Sequence, residues 1–169
     1  MGGRIKTGEG IFEVLVEIPR GSRNKYEYDH ERKVMRLDRR LFSATVYPAD
    51  YGFVPDTLAE DGDELDALVL LEEPTFPGCH VDVRAAGVFW MSDEAGPDAK
   101  LICVPAGDPR WDSMQDITDI PDFTLREIEH FFDIYKMLEP QKHSDTRGFA
   151  GAAEAYAELA ISRERFRSG

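Results

Sequence analysis

The chain has 169 residues, 42% of them apolar and 11% aromatic, which is enough to build the core of one domain and too much for a disordered acidic tail. Its 33 Asp and Glu outweigh 20 Lys and Arg, leaving a formal charge of −13. Such a balance argues against nonspecific nucleic-acid binding, which needs clustered cations to displace counterions from phosphates; an anionic ligand remains compatible where metals neutralise both sides.

Met1 to Gly10 is Gly-rich, has no apolar core of signal-peptide length, and is expected to be mobile. No later run approaches the roughly 20 apolar residues of a membrane span. Cys79 and Cys103 form no CxxC pattern, so a reduced, cytoplasmic protein is expected. Phe12, Val14, Val16 and Ile18 alternate with other residues and predict a strand with one buried face. Pro19 to Ser22 ends it, and Lys25 to Asp38 reads as a hairpin turning near Asp29 to Arg32. Extended segments are predicted at Ala67 to Leu71, Val81 to Met91 and Leu101 to Val104. Between them, loops are marked by Pro48, Gly52, Pro55, Gly62, Pro74, Pro77, Gly78, Gly96 and Pro97. Asp122 is placed to cap a helix carrying Leu125, Ile128, Phe132, Tyr135 and Leu138, which Pro140 stops. A second helix is expected from about Gly148 to Phe166. The order, strands first and two helices in the C-terminal third, predicts an α+β fold in which short strands close a small barrel. No repeat or linker divides residues 1–169, which read as a single domain.

The chemistry concentrates in one stretch. Six of the eleven residues from Asp56 to Asp66 are carboxylates, and from Leu41 to Val83 ten acidic residues occur without one Lys or Arg. Like charges about 4 Å apart repel by roughly 4 kcal/mol at a protein surface, so aspartates packed this densely call for counter-ions or full solvation. Oxygen donors without nearby His or Cys suit magnesium, manganese or calcium. An EF-hand is a competitor, since Glu72 holds the twelfth place from Asp61. It fails on context: Leu65 and Asp66 stand where that loop needs an oxygen ligand and a Gly, and a strand follows instead of a helix. A second acidic group, Asp93-Glu94 with Asp98, precedes Lys100 across an expected Gly96-Pro97 turn. Alone it reads as a plain surface loop. Lys25, Arg39, Tyr51, Tyr135 and Lys136 likewise have bland readings one at a time, yet together they are donors suited to phosphate oxygens.

The series, in its order, resembles the soluble family I inorganic pyrophosphatases of bacterial type. Asp61-Gly62-Asp63-Glu64-Leu65-Asp66-Ala67 is similar to the family signature, with Glu64 where Pro is commoner. Glu17-Ile18-Pro19, Lys25-Tyr26-Glu27, Asp38-Arg39, Tyr47-Pro48 with Tyr51-Gly52, and His130-Phe131-Phe132 with Tyr135-Lys136 extend the likeness from about Val14 to Phe166. The resemblance implies a five-stranded, OB-like closed barrel and hydrolysis of pyrophosphate to two orthophosphates by a metal-activated water. It implies that Asp61, Asp66 and Asp98 hold the tighter ion, with Asp66 shared by a second. Asp63 would accept the water's proton, Asp93 and Asp98 would receive ions arriving with substrate, and Glu17 and Glu27 would act through water. Lys25, Arg39, Tyr51, Lys100, Tyr135 and Lys136 would grip the phosphoryl groups, with Lys142 a fainter candidate because Gln141 to Gly148 departs from the usual pattern. The implied ion is magnesium, with manganese or zinc as substitutes and calcium as inhibitor; the implied assembly is a homohexamer.

Metals and fixed donors are what this reaction needs. A lowered water pKa supplies the nucleophile, and charge stabilisation carries most of phosphoryl transfer, so no Ser or Cys nucleophile is required. Three other readings compete: a single-strand nucleic-acid barrel, which needs a basic aromatic groove; a calcium-dependent interaction protein, which would release no phosphate; and a metal-dependent hydrolase of another phosphoanhydride such as a nucleotide, for which no Walker-type loop is present.

Overall fold

The alternation of Phe12, Val14, Val16 and Ile18 folds as strand β1, Ile11–Ile18, with all four side chains buried. A computed structural model describes residues 10–169; the predicted mobile start therefore lies, but for Gly10, outside the described residues. Leu15 is buried as well, because β1 is paired on both edges and its second face also meets neighbouring structure. The predicted hairpin forms from β2, Asn24–Asp29, and β3, Val34–Arg40, a two-stranded sheet of its own whose turn includes Lys33 at φ 57.

Next come β4, Asp50–Phe53; β5, Asp66–Val69; β6, His80–Asp93; and β7, Gly96–Pro105. The sheet runs β1-β4-β5-β7-β6, and β1 also pairs with β6, so these five strands close into a ring. Only the β5–β7 pair is parallel. The fold is thus the expected α+β arrangement on a small closed five-stranded barrel.

β4 was not predicted as a strand, since Pro48, Gly52 and Pro55 mark a loop. Gly52 is instead what lets β4 approach β1: a Cβ there would overlap the Leu15 carbonyl. The Ala67 to Leu71 run is apolar without alternation because both faces of β5 are covered. Leu68 and Leu70 join Ile102, Val104 and Phe89 in one core, whereas Ala67 and Val69 join Leu101, Cys103 and Val88 in another.

Helix α1, Asp122–Ile134, closes the first core with Ile128, Phe131 and Phe132. Two details of the prediction are corrected. Pro121 occupies the cap position, with Asp122 the first helical residue, and the helix ends at Ile134 and not at Pro140. Beyond it the N–H groups of Met137 and Glu139 donate to Ile134 and Lys136 carbonyls, a run of tight turns that leaves Leu138 69% exposed and turns Glu139 inward. The second helix also starts later than expected. Ser144–Gly151 forms strand β8 on the outer edge of β6, and Gly148 at φ 91 cannot begin a right-handed helix; α2 covers Ala152–Ser168 and packs Ala155 and Leu159 into the second core. Cys79 and Cys103 are both free thiols.

Candidate active site

Strand pairing explains why distant acidic residues meet. β5 lies parallel to β7 with Asp66 opposite Lys100, and Asp98 sits two residues before Lys100 on the same face of β7. Lys100 Nζ donates to Asp66 Oδ2 and Asp98 Oδ2 at 2.9 Å each and to Tyr51 Oη at 2.8 Å. Only 1% of Lys100 is exposed. Burial alone would depress its pKa, but Asp66 and Asp98 overcome that and hold the ammonium charged.

Asp61 and Asp63 stand above this group, on the loop of residues 54–65 between β4 and β5. Glu17 on β1 accepts the Tyr28 N–H at 2.7 Å. Lys25 on β2 meets Asp38 on β3 at 3.1 Å, and Arg39 contacts the same carboxylate at 2.5 Å while its other edge holds Glu139 at 2.7 Å. The expected Gly96-Pro97 turn is displaced to Glu94-Ala95, with Asp93 directly opposite Gly96 at the end of the β6–β7 hairpin. Lys136, just past α1, lies 3.3 Å from both Asp93 and Glu94.

A cavity of about 250 Å³ gathers Glu17, Lys25, Glu27, Tyr51, Asp61, Asp63, Asp66, Asp93, Asp98 and Lys136 in its lining. Arg39, Lys100 and Tyr135 do not line it. Lys100 lies beneath its floor, Tyr135 is buried against Phe131 and Phe132, and Arg39 reaches it only through Asp38. Lys142 sits 3.7 Å from Glu139, also off the cavity. Sequence reasoning missed Tyr28, His30, Phe53 and Glu64 in the wall. His30 pairs with Glu64 and so ties the hairpin to the acidic loop; nothing in their sequence separation announces that contact. A second, larger cavity of about 640 Å³ lies behind the same loop, but its wall is dominated by Leu15, Phe53, Leu58 and Phe166 and offers fewer convergent polar groups.

The cavity carries more negative charge than Lys25, Lys100 and Lys136 can offset. Burial raises Glu17 to about 7 despite its Tyr28 hydrogen bond, with Asp66 adding repulsion. Burial likewise raises Asp98 to about 6 against the pull of Lys100, and Asp61 moves up for the same reason, with Asp98 and Asp63 repelling it. Carboxylates crowded at this cost are the oxygen donors that small, hard cations favour. Among the described residues no three His, Cys, Asp or Glu side chains stand together closely enough to hold a metal ion as they are placed. Lys100 separates two of them, Asp66 and Asp98.

The model of the inorganic pyrophosphatase family matches residues 14–167, nearly all of the chain. The chain belongs to that family. It is 57% identical over 156 residues to the inorganic pyrophosphatase of Streptomyces coelicolor, a match covering 92% of this chain and 96% of the relative. To that of Leifsonia xyli it is 60% identical over 144 residues, 85% of this chain and 88% of the other. The crystal structure of the inorganic pyrophosphatase from Thermus thermophilus superposes with a TM-score of 0.92 at 45% identity, covering 96% of this chain and 94% of that one. As a family I pyrophosphatase it is a hydrolase of phosphorus anhydrides and depends on divalent metal. No helix among the described residues is long and apolar enough to cross a membrane.

Proposed function

We propose that this family member hydrolyses inorganic pyrophosphate by direct attack of water, with Asp63 as the proton acceptor. The observation that carries the reading is one small cavity lined by seven of the predicted carboxylates and by Lys25 and Lys136. Asp61, Asp66 and Asp98 would hold the tighter divalent ion, Asp66 would share a second, and Asp93 with Asp98 would take ions entering with substrate. When bound, these ions lower the pKa of the attacking water and offset charge on the departing phosphate.

The remaining steps belong to the chain's own groups. Asp63 is exposed at the cavity rim and forms no ion pair among the described residues, which suits its carboxylate to take the water's proton as the new P–O bond forms. The bridging P–O bond breaks and its electron pair leaves with the second orthophosphate. Lys25 and Lys136 stabilise the oxygens of the two phosphoryl groups and Tyr51 frames them in the cavity wall, while Tyr135, buried behind it, acts through Lys136, whose ammonium lies 5.4 Å from its ring. Glu17 and Glu27 order water on the β1–β2 side. Lys100 serves first as countercharge to Asp66 and Asp98 and reaches a phosphate oxygen only by giving up one of those bonds. Arg39, held by Asp38 and Glu139, fixes Lys25 through the shared Asp38 carboxylate and is one rearrangement away from substrate.

Magnesium is the working ion in this reading, since the unpaired carboxylates offer hard oxygen donors; manganese or zinc as substitutes and calcium as inhibitor rest on the family likeness alone. A volume of about 250 Å³ is small beside the ~300–1,000 Å³ of typical ligand sites, which favours pyrophosphate over a nucleotide. Family membership supports residues 1–169 acting as one domain in a cytoplasmic homohexamer that engages neither membrane nor nucleic acid; light scattering showing only a 19.1 kDa species would overturn the assembly. The deciding assay is orthophosphate release from pyrophosphate and, separately, from ATP, with magnesium and then with chelator. Release from pyrophosphate alone, abolished by chelation, is expected. Equal release from ATP would favour a broader phosphoanhydride hydrolase, and none from pyrophosphate would end the proposal.

A further inference from the structure

The loop that carries Asp61 and Asp63 is closed at its neck by one buried hydroxyl. Val54 N–H donates to the Leu65 carbonyl at 2.9 Å and draws the two ends of the loop together. Within that closure Thr57 Oγ1 donates to the Val54 carbonyl at 2.6 Å and accepts from Leu65 N–H at 2.9 Å. Thr57 is 2% exposed and Leu65 fully buried, so neither hydrogen bond can be replaced by bulk water.

The backbone is bent to place that hydroxyl. Asp56, the residue before it, adopts φ 58, a left-handed conformation that Asp tolerates better than most L-residues. Above the neck the loop is held by its own bonds. Ala59 N–H donates to Asp63 O at 2.7 Å, and Asp63 N–H donates to Asp61 Oδ1 at 3.0 Å. On its outer limb Leu58 is gripped by α2: its N–H donates to Ser162 O at 2.9 Å, and its carbonyl accepts from Arg165 Nη1 at 2.8 Å. Asp61 and Asp63 therefore stand on a loop braced by its own bonds and by α2, whose two ends meet at the neck, and Asp66 follows Leu65 directly.

From this we infer that Thr57 is a positioning residue for hydrolysis, setting where Asp61, Asp63 and Asp66 stand relative to Asp98 although it touches none of the reacting atoms. A valine of the same shape would fill the same space, so packing does not explain the hydroxyl. What the hydroxyl adds is a second tie between the two ends of the loop, beside the Val54–Leu65 backbone bond, which holds Thr57 and the chain above it in register with Leu65. Without it Leu65 N–H is left buried and unpaired, and the loop must shift to satisfy it. A misplacement of about 1 Å at a reacting group suffices for large losses in rate.

The inference rests on the hydrolysis proposed above, and wild-type enzyme in the same assay separates the two: no phosphate release from wild type sinks the hydrolysis, not the role of Thr57. Thr57→Val and Thr57→Ser are compared for turnover of pyrophosphate, for the magnesium concentration giving half activity, and for urea unfolding in chelator. Thr57→Val is expected to unfold cooperatively, to lose turnover by at least about tenfold, and to need at least about threefold more magnesium; Thr57→Ser should return both to within about threefold of wild type. A Thr57→Val enzyme whose unfolding midpoint drops while turnover and magnesium demand stay within about twofold overturns the inference, as does a Thr57→Ser enzyme equally impaired. Should Thr57→Val not fold, Thr57→Ala, which also removes the hydroxyl but fills less space, replaces it; wild-type turnover and magnesium demand there overturn the inference too.

Discussion

An ammonium sealed between two carboxylates is stable only while all three charges are present. Lys100 donates to Asp66, Asp98 and Tyr51 and lies 5.0 Å from the centres of the Tyr51 and Phe132 rings, so its removal strands the buried Asp98 and the half-buried Asp66. Lys100→Met is expected to lower stability by about 3–5 kcal/mol in chelator, with part of the loss recovered in magnesium. Urea midpoints measured with and without magnesium check this; equal losses in both conditions would mean that the carboxylates do not bind the ion. Asp63 is the opposite case. It is exposed and its side chain is tied to no cation among the described residues, so Asp63→Asn should leave the unfolding free energy within about 0.5 kcal/mol of wild type. If Asp63 accepts the proton, turnover should fall by at least about tenfold in a steady-state phosphate assay near neutral pH. Undiminished turnover would remove it from that role.

At the scale of elements, the site depends on strands approaching more closely than side chains normally allow. Gly52 lets β4 lie against β1, and this pairing carries Tyr51 to its place above Lys100. Gly52→Ala must displace either the Leu15 backbone or the whole of β4, and is expected to cost at least about 2 kcal/mol or to abolish folding. Chemical denaturation followed by circular dichroism reads this directly, and a wild-type midpoint would show that the barrel seam is looser than its geometry implies. The β2–β3 hairpin is the other case of an element serving the site. It shares few core side chains with the barrel and is joined to it by Glu17 with Tyr28, Arg39 with Glu139, and His30 with Glu64.

For the molecule as a whole, the dominant fact is a formal charge of −13 with its most crowded anions in one cavity. Burial holds Glu17 at about 7 and Asp98 at about 6, above their ordinary values of 4.5 and 3.8. Both groups bind a proton more tightly folded than unfolded. Their contribution to stability is therefore fully present below the ordinary carboxylate range and is lost as pH rises through about 6 to 7. In metal-free buffer the urea midpoint should fall between about pH 5 and pH 8, and Glu17→Gln should flatten part of that slope. Saturating magnesium should raise the midpoint, and raise it more at pH 8 than at pH 5, by about 2.7 kcal/mol when the ion is a hundredfold above its Kd. A midpoint that rises with pH in chelator, or that ignores magnesium, would contradict this account of the cavity.

Local order was legible in the residues alone wherever one short-range rule governed. Alternation gave β1, turn residues gave the β2–β3 hairpin, and the density of carboxylates from Asp56 to Asp66 pointed to the loop that lines the acidic cavity, because repulsion between close charges needs no tertiary information to be recognised. The roles assigned to single residues came from likeness to a family and not from spacing. Folding in three dimensions decided the rest. It made a strand of Asp50–Phe53 despite Gly52, began α2 at Ala152 because β6 claimed residues 144–151, and ended α1 at Ile134 so that Lys136 could face Asp93 and Glu139 could face Arg39. It also placed Lys100 under the floor of the cavity and Thr57 at the neck of the acidic loop. Long-range pairing overrides local preference at these positions, since burying a strand edge or an ion pair outweighs the few tenths of a kcal/mol by which one residue favours turn or helix.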